Sequence, residues 1–297
     1  MATVVVAGAT GFIGKRLCEL LKEEGWTVLR LVREGQPGDL VWDGSSAGDW
    51  EEGMDGADAV INLAGAPITL SWTDENRKLI RDSRTQSAEA LARAILKASS
   101  PPKVWVNSSA IGFYGDRGDE LVTEDTAAGT GFLSEICVAW EEAAERWELP
   151  ATRLVLMRTG VVLGKGGGAF EPLLGLAKAF LGGAAGDGRQ WMPWISLEDL
   201  CRMYVFALDE ERVNGPINGV APEPARNVEL MASLRKALGR PWAPSAPEFA
   251  LNLASKVGGP DPSMLLDSMR VVPRRAKSLG FTWKDKDLDV LLVSLVA

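Results

Sequence analysis

TVVVAGATGFIG, residues 3–14, is the stretch on which the fold turns. Residues 3–7 form a β-branched apolar run, and after the glycines Ile13, Leu17, Leu20 and Leu21 recur at helical spacing. The order is strand, glycine turn, helix. In such a turn Gly8 permits the tight reversal, Gly11 lets a pyrophosphate approach the backbone and Gly14 lets the helix pack closely on the strand. The N–H groups around Thr10, Phe12 and Ile13, together with the positive end of the helix dipole, then face the phosphates of a dinucleotide.

Composition narrows the chemistry. The 297 residues, 46% of them hydrophobic, suffice for one sizeable core or two modest ones. A net charge of −8 argues against a nucleic-acid surface. The chain has no histidine, which removes the commonest general base, the Ser-His-Asp arrangement and most zinc sites. Cys18, Cys137 and Cys201 are far apart and form no metal-ligand spacing, so free thiols in a reducing compartment and no metal are expected. With no signal peptide and no apolar run long enough for a membrane span, the expected location is cytoplasmic, or an organellar stroma or matrix after removal of a transit peptide.

Residues 27–32 read as a second strand. Its end is where an NAD site places a carboxylate against the ribose hydroxyls. Here Val32 stands in that slot and Arg33 follows, a pair that suits the 2′-phosphate of NADP. Residues 40–43 suggest a short third strand, with Asp43 near an adenine or capping a turn. Residues 59–66 form a fourth strand whose end, Asn62, Leu63, Ala64 and Gly65, is small enough to pass beneath a dinucleotide. A helix over 73–99 has the apolar stripe Ala88, Leu91, Ala92 and Ile95; Arg77, Lys78, Arg81 and Arg84 on its first half read as a solvated face. Pro101-Pro102 ends it, and the next strand, from Val104, runs into Ser108-Ser109-Ala110 and then Tyr114-Gly115.

The glycine turn, the NLAG turn and strand-SSA followed by YG resemble the extended short-chain dehydrogenase/reductases, the NAD-dependent epimerase/dehydratase group. MRTGVVLG (157–164) is similar to that family's sixth strand and loop. WISLEDL (194–200) is similar to its WIHIDDL segment, with Ser196 in place of His. The glycine run from Gly164, the segment 192–200 and an ending with RVVP (270–273) and LGF (279–281) resemble in particular an atypical "epimerase family protein", or SulA-like, branch that carries a C-terminal domain of unknown function. The resemblance spans essentially the whole chain. It implies a doubly wound parallel Rossmann sheet in the α/β class and Ser109 as the serine that orients a substrate oxygen; with Val32 and Arg33 in the discriminating slot, the expected cofactor is NADP.

The same resemblance exposes a departure. The superfamily's acid/base is a tyrosine with a lysine one helical turn on. Four residues after Tyr114 is Gly118, and four after Tyr204 is Leu208. In the expected helix FLSEICVAWE (132–141), matching the terminal Glu141 places Leu133 at the tyrosine and Cys137 at the lysine. Tyr114 is the remaining phenol and, with Ser109, a catalytic candidate, with Tyr114 or an ordered water relaying the proton; with no cationic neighbour in sequence it is a poor base at neutral pH. Cys137, equally without a basic partner, is expected to be inert.

Past residue 164 the composition shifts. GKGGG (164–168), an apolar helix over 170–181 and the WMPW segment (191–194) read as a mobile loop and lid. Trp191 and Trp194 either face a flat, apolar substrate or fill a seam between domains. Helices are expected over 199–208, 227–238, 247–257 and 287–296. The expected organisation is a dinucleotide-binding domain over 1–164, with about 191–220 returning to it, and a smaller, mainly helical substrate lid and cap over 165–297. Two functions fit: an NADP-dependent oxidoreductase or epimerase-like enzyme on a small, largely apolar substrate, or a catalytically weak dinucleotide sensor or regulatory protein related to cell division. Expected partners are a small molecule, neither nucleic acid nor membrane, in a monomer or homodimer.

Overall fold

The computed structural model describes residues 1–256 and 261–297. Strand β1 (Thr3–Ala7), helix α1 (Phe12–Glu23) and strand β2 (Thr27–Val32) open the chain. Strands β3 (Leu40–Val41) and β4 (Ala59–Asn62) precede the long helix α2 (Asp74–Lys97), whose first turn is capped by the Thr73 hydroxyl accepting the Asn76 N–H. Strand β5 (Val104–Ala110) runs into a 3-10 turn over Ile111–Tyr114, followed by β6 (Leu121–Val122), α3 (Phe132–Glu145) and β7 (Arg153–Thr159). Next come β8 (Val161–Leu163), α4 (Phe170–Lys178), β9 (Trp191–Met192), β10 (Trp194–Ser196), α5 (Leu197–Asp209) and β11 (Gly215–Gly219). The C-terminal region holds β12 (Ala225–Arg226), α6 (Asn227–Ala237), α7 (Glu248–Lys256), α8 (Ser263–Leu266), β13 (Arg270–Val271), α9 (Arg274–Ser278) and α10 (Leu288–Val296).

Seven strands form one sheet in the order β11-β7-β5-β4-β1-β2-β3, every neighbouring pair parallel. This is the doubly wound Rossmann arrangement. Both faces are covered, which is why the strands are apolar without alternation. Val4, Val6, Ile61, Val106 and Met157 pack with α1 and α5 on one side. On the other, Val5, Ala7, Val60, Trp105 and Leu156 pack with α2 and α3. The strand order reverses between β1 and β4, and in open parallel sheets the crevice at that switch point, outside the carboxyl ends of the strands, takes the ligand.

A separate core of Leu163, Phe170, Leu174, Trp194, Leu230, Met231 and Leu292 joins α4, α6 and α10. The chain then returns to the sheet layer. Ala276, Phe281 and Trp283 enter the α1/α5 core, Trp283 Nε1 donates to the Val220 carbonyl at 2.9 Å, and the buried Asp199 carboxylate accepts the Lys284 and Asp285 N–H groups at 2.9 and 2.8 Å.

Two differences from the sequence expectations have physical causes. β11 (GPING) has the composition of a turn; it is a strand because β7 supplies a partner, and Pro216 is tolerated there because β11 is the sheet edge. β5 continues to Ala110, so Ser108 and Ser109 lie within the strand and point to opposite faces. The helix expected over 247–257 is α7, and its expected last residue, Val257, lies outside the described residues. No helix among the described residues is long and apolar enough to cross a membrane.

Candidate dinucleotide site and the buried polar network beside it

The glycine turn has the steric form its sequence implies. Gly8 sits at φ +77°, where a Cβ would lie 2.8 Å from the Leu63 carbonyl carbon and oxygen of the neighbouring β4 turn. At Gly14 a Cβ would stand 2.2 Å from the Gly8 oxygen and 2.9 Å from Ala9 Cα, so nothing larger than glycine fits between helix and turn. Gly11 is the N-cap of α1 and its N–H closes the turn onto Gly8 at 3.0 Å. No side chain caps this helix, which leaves its first N–H groups available to an anion. Thr10 and Gly11 are exposed, Phe12 and Ile13 half-buried.

Phe12 has a second role. A Cβ on Gly167 would lie 2.7 Å from the Phe12 ring, one on Gly168 2.8 Å and one on Gly164 3.1 Å. The glycine run after β8 is therefore a seat for this ring, and it joins the start of the cap directly to the fingerprint.

The β4 turn is held from within. Asn62 is fully buried: its Oδ1 accepts the Ala64 N–H at 3.0 Å, and its Nδ2 donates to Asn107 Oδ1 at 2.8 Å and Ser87 Oγ at 3.3 Å. Its side chain thus shapes the turn, and Leu63, Ala64 and Gly65 present backbone. At the end of β2, Arg33 is exposed and has no ion-pair partner among the described residues. Arg30 is engaged by Asp39 through two 2.7 Å bonds, and Asp43 accepts the Ser45 and Ser46 N–H groups at 2.8 and 2.7 Å, the turn-capping alternative for that residue.

Ser109 and Tyr114 belong to one buried network. Ser109 Oγ donates to Glu141 Oε1 at 2.6 Å; Arg158 grips the same carboxylate through Nε and Nη2 at 2.8 and 2.7 Å. Arg158 Nη1 also donates to Tyr114 Oη at 3.0 Å, and Tyr114 donates to Asn218 Oδ1 at 2.7 Å. The Arg158 guanidinium lies 3.5 Å from the Phe113 ring centroid. Two sequence expectations are corrected by this geometry. Tyr114 does have a cationic neighbour, Arg158, from a strand 44 residues away. It is nonetheless unsuited to relay a proton: it has no exposed surface, its hydrogen and one lone pair are engaged, and burial pushes its hydroxyl up to about 12, with the Arg158 charge pulling the other way. Ser109 is 3% exposed, and with its hydrogen on Glu141 only its oxygen lone pairs remain to meet a ligand. Sequence reasoning missed this network because its charges sit at positions whose strand and helix patterns are otherwise apolar.

Leu133 and Cys137 face the end of β5. A Cβ on Gly112 would lie 3.2 Å from Leu133 Cβ and 3.6 Å from Cys137 Sγ. Burial, with the Glu141 charge, pushes the Cys137 thiol up to about 12, against the opposing pull of Arg84. On the other face Ser108 Oγ and the buried Tyr204 hydroxyl are 2.7 Å apart. Of the two candidate lid tryptophans, Trp194 fills the cap core at 2% exposure. Trp191 stays half-buried between the guanidiniums of Arg226 and Arg270, 4.2 and 5.1 Å from its ring, with Nε1 donating to Asp119 at 2.7 Å.

Comparison with known proteins agrees with this architecture. Residues 4–218 match the family model described as NAD dependent epimerase/dehydratase family, and residues 246–295 match a domain of unknown function, DUF1731. The human epimerase family protein SDR39U1 is 36% identical over 298 residues, covering 99% of this chain and 99% of that protein. Its chloroplastic homologue from Arabidopsis thaliana is 35% identical over 295 residues, covering 96% of this chain and 84% of that protein. The crystal structure of the human protein, isoform 2, with NADPH superimposes with a TM-score of 0.89 at 34% identity, over 99% of this chain and 98% of that one. From the glycine turn through β11, and over most of its length, the chain belongs to the NAD-dependent epimerase/dehydratase family.

Proposed function

We propose that this protein binds NADP(H) across the β1/β4 switch point and reduces an activated carbonyl on a small, largely apolar substrate. The observation that carries the cofactor half is the glycine turn. Its Gly8 and Gly14 positions are closed to any side chain, the N-terminus of α1 is uncapped, and Arg33, with no carboxylate in the Val32 slot, stands where a 2′-phosphate is recognised. The human relative crystallised with NADPH supports the same choice. When bound, NADPH supplies a hydride to the carbonyl carbon, and the oxygen takes its proton from solvent, giving an alcohol.

The protein's own part is orientation. Glu141 marks the end of the superfamily's Tyr-x-x-x-Lys segment, and by that register Leu133 and Cys137 replace the dyad; both pack against Gly112, beside the end of β5. Without a positioned acid, a plain ketone is expected to react slowly, by about 10²–10⁴-fold. On substrate binding Ser109 turns its hydrogen from Glu141, which Arg158 still holds, to the carbonyl oxygen and orients it. In this proposal residues 1–164, with 191–220, hold the dinucleotide and 165–297 cover the substrate. The protein acts as a monomer or homodimer in the cytoplasm or an organellar stroma. A second reading, a dinucleotide sensor with little turnover, is favoured by the occupied Tyr114 hydroxyl and the raised Cys137 thiol.

The test is stopped-flow NADPH consumption across ketones, quinones, enals and sugar nucleotides, with Ser109→Ala in parallel. Turnover confined to activated carbonyls, and lowered about tenfold or more by Ser109→Ala, is expected. Robust reduction of a plain ketone untouched by Ser109→Ala would overturn the catalytic half, and tight cofactor binding with no turnover at all would favour the sensor.

A further inference from the structure

The cap encloses a cavity of its own. It measures about 350 Å³ and is lined by Leu173 and Leu176 of α4, Phe180, Met231 of α6, Leu251 of α7 and Leu265 of α8. Its size falls within the range of small-molecule sites, roughly 300–1,000 Å³. No residue of the glycine turn, the β4 turn or the Arg158 network lines it.

Its walls are joined backbone to backbone. The Ala246 N–H donates to the Ala184 carbonyl and the Gly186 N–H to the Ala246 carbonyl, both at 2.8 Å, and a Cβ on Gly183 would lie 1.8 Å from the Pro244 oxygen. The cavity is therefore formed before any ligand arrives. Asn227 and Ser245 are the polar side chains of its lining; Asn227 Oδ1 is taken by the Ala185 N–H at 2.8 Å, and Ser245 is exposed. A sugar or a nucleotide would leave hydroxyls unpaired in such a lining, whereas a hydrocarbon chain would not.

The rim differs from the interior. Phe180 stands there at φ +64°, a costly backbone conformation for a bulky residue, with 55% of its surface exposed. Arg240 lies over the Phe180 ring, its Cζ 4.3 Å from the centroid, and its Nε is buried with no hydrogen-bond partner. Arg235 reaches the same turn, Nη1 donating to the Gly182 carbonyl. Lys236 is paired with Asp289, but neither Arg235 nor Arg240 has a carboxylate partner among the described residues. Glu248, at the start of α7, stands by Gly186 and Leu266. An apolar interior with two uncompensated guanidiniums at its mouth suits an amphiphile that brings the missing anion. The α7 wall gives a second indication: α7 buries none of its residues, so Leu251 lacks the packing that a chain in the cavity would supply.

We propose that the cavity binds one unbranched acyl chain as its carboxylate, the chain lying among Leu173, Met231, Leu251 and Leu265 and the head group meeting Arg240 and Arg235 beside Phe180. This site is separate from the dinucleotide site and stands whether or not NADP(H) is the cofactor.

Calorimetric titration with decanoate, below its micellar concentration, tests this, with octanoate and decanol as comparisons. One decanoate per chain is expected. Octanoate should bind more weakly by about fourfold for each methylene lost, and decanol, which lacks the charge, by about tenfold or more. Arg240→Gln should remove the preference for decanoate over decanol. Met231→Trp, which fills the cavity, should abolish decanoate binding while thermal melting and the response to NADPH stay as in the parent; Leu251→Trp, from the half-buried wall, is the filling variant to use if the first does not fold. No decanoate binding, binding that survives the filling variants, or equal affinity for decanoate and decanol would overturn the proposal. A preference for decanoate that survives Arg240→Gln would overturn the placement of the carboxylate. Sedimentation showing a dimer that Phe249→Asp dissociates, in a chain that takes up no decanoate, would mean that a second copy covers this face and would overturn the proposal as well.

Discussion

Replacing Glu141 with alanine removes the carboxylate that joins Ser109 to Arg158. Glu141 is 4% exposed and accepts three hydrogen bonds, one from Ser109 at 2.6 Å and two from Arg158 at 2.8 and 2.7 Å. Its removal leaves Arg158, 4% exposed and charged, with the Tyr114 hydroxyl, the Glu124 carbonyl and the Phe113 ring around it but no carboxylate bonded to it among the described residues. Breaking a buried pair by deleting one partner costs about 3–5 kcal/mol, because the remaining ion is uncompensated. At about 2–4 °C per kcal/mol for a protein near this size, the midpoint should fall by roughly 6–20 °C. Thermal and urea melts followed by circular dichroism measure this. The double variant Glu141→Leu, Arg158→Met should recover part of the loss, since an apolar pair of similar volume needs no compensation. The cycle should show a coupling of about 0.5–3 kcal/mol. Glu141→Ala melting within about 2 °C of the parent, or additive single changes, would refute the claim that this pair stabilises the region.

Gly167→Ala should lower the melting temperature by pressing a methyl into the Phe12 ring 2.7 Å away, and Phe12→Ala in the same chain should relieve the added strain. Asp267 gives a pH signature. Burial, with Asp116 and Asp261 nearby, pushes its carboxyl up from 3.8 to about 6, so the folded chain holds a proton there that the unfolded chain releases. Stability should therefore fall as pH rises through that window and stay lower above it, and Asp267→Asn should stabilise the protein in melts at pH 7.5 but not at pH 3.5. Arg33→Ala should narrow the preference for NADPH over NADH by about tenfold or more in a fluorescence titration, with NADH affinity little changed.

The parts of the fold legible in the sequence were those whose chemistry is local. Gly8, Gly11 and Gly14 carry their steric requirement within seven residues, and β1, α1 and α2 declare themselves by periodicity and caps. Strand β11 does not, because Gly215-Pro216-Ile217-Asn218-Gly219 becomes a strand only when β7 provides its partner. The site divides in the same way. Val32 and Arg33 can be read from their place after β2, whereas the surroundings of Tyr114 cannot: Arg158 and Asn218 approach it from β7 and β11, 44 and 104 residues on. Arg84 is the clearest case. Beside Arg77, Lys78 and Arg81 it looks like one more solvated cation, and only the fold shows that the Gly65 turn and Trp140 enclose it.

The most direct test of the central claim is calorimetric titration of NADPH and NADH into the purified protein at the same ionic strength. The glycine turn and Arg33 predict one site per chain, with NADPH bound at least about tenfold more tightly than NADH through a charge-assisted contact to the 2′-phosphate. Equal affinities, tighter NADH binding or no binding of either would contradict the account.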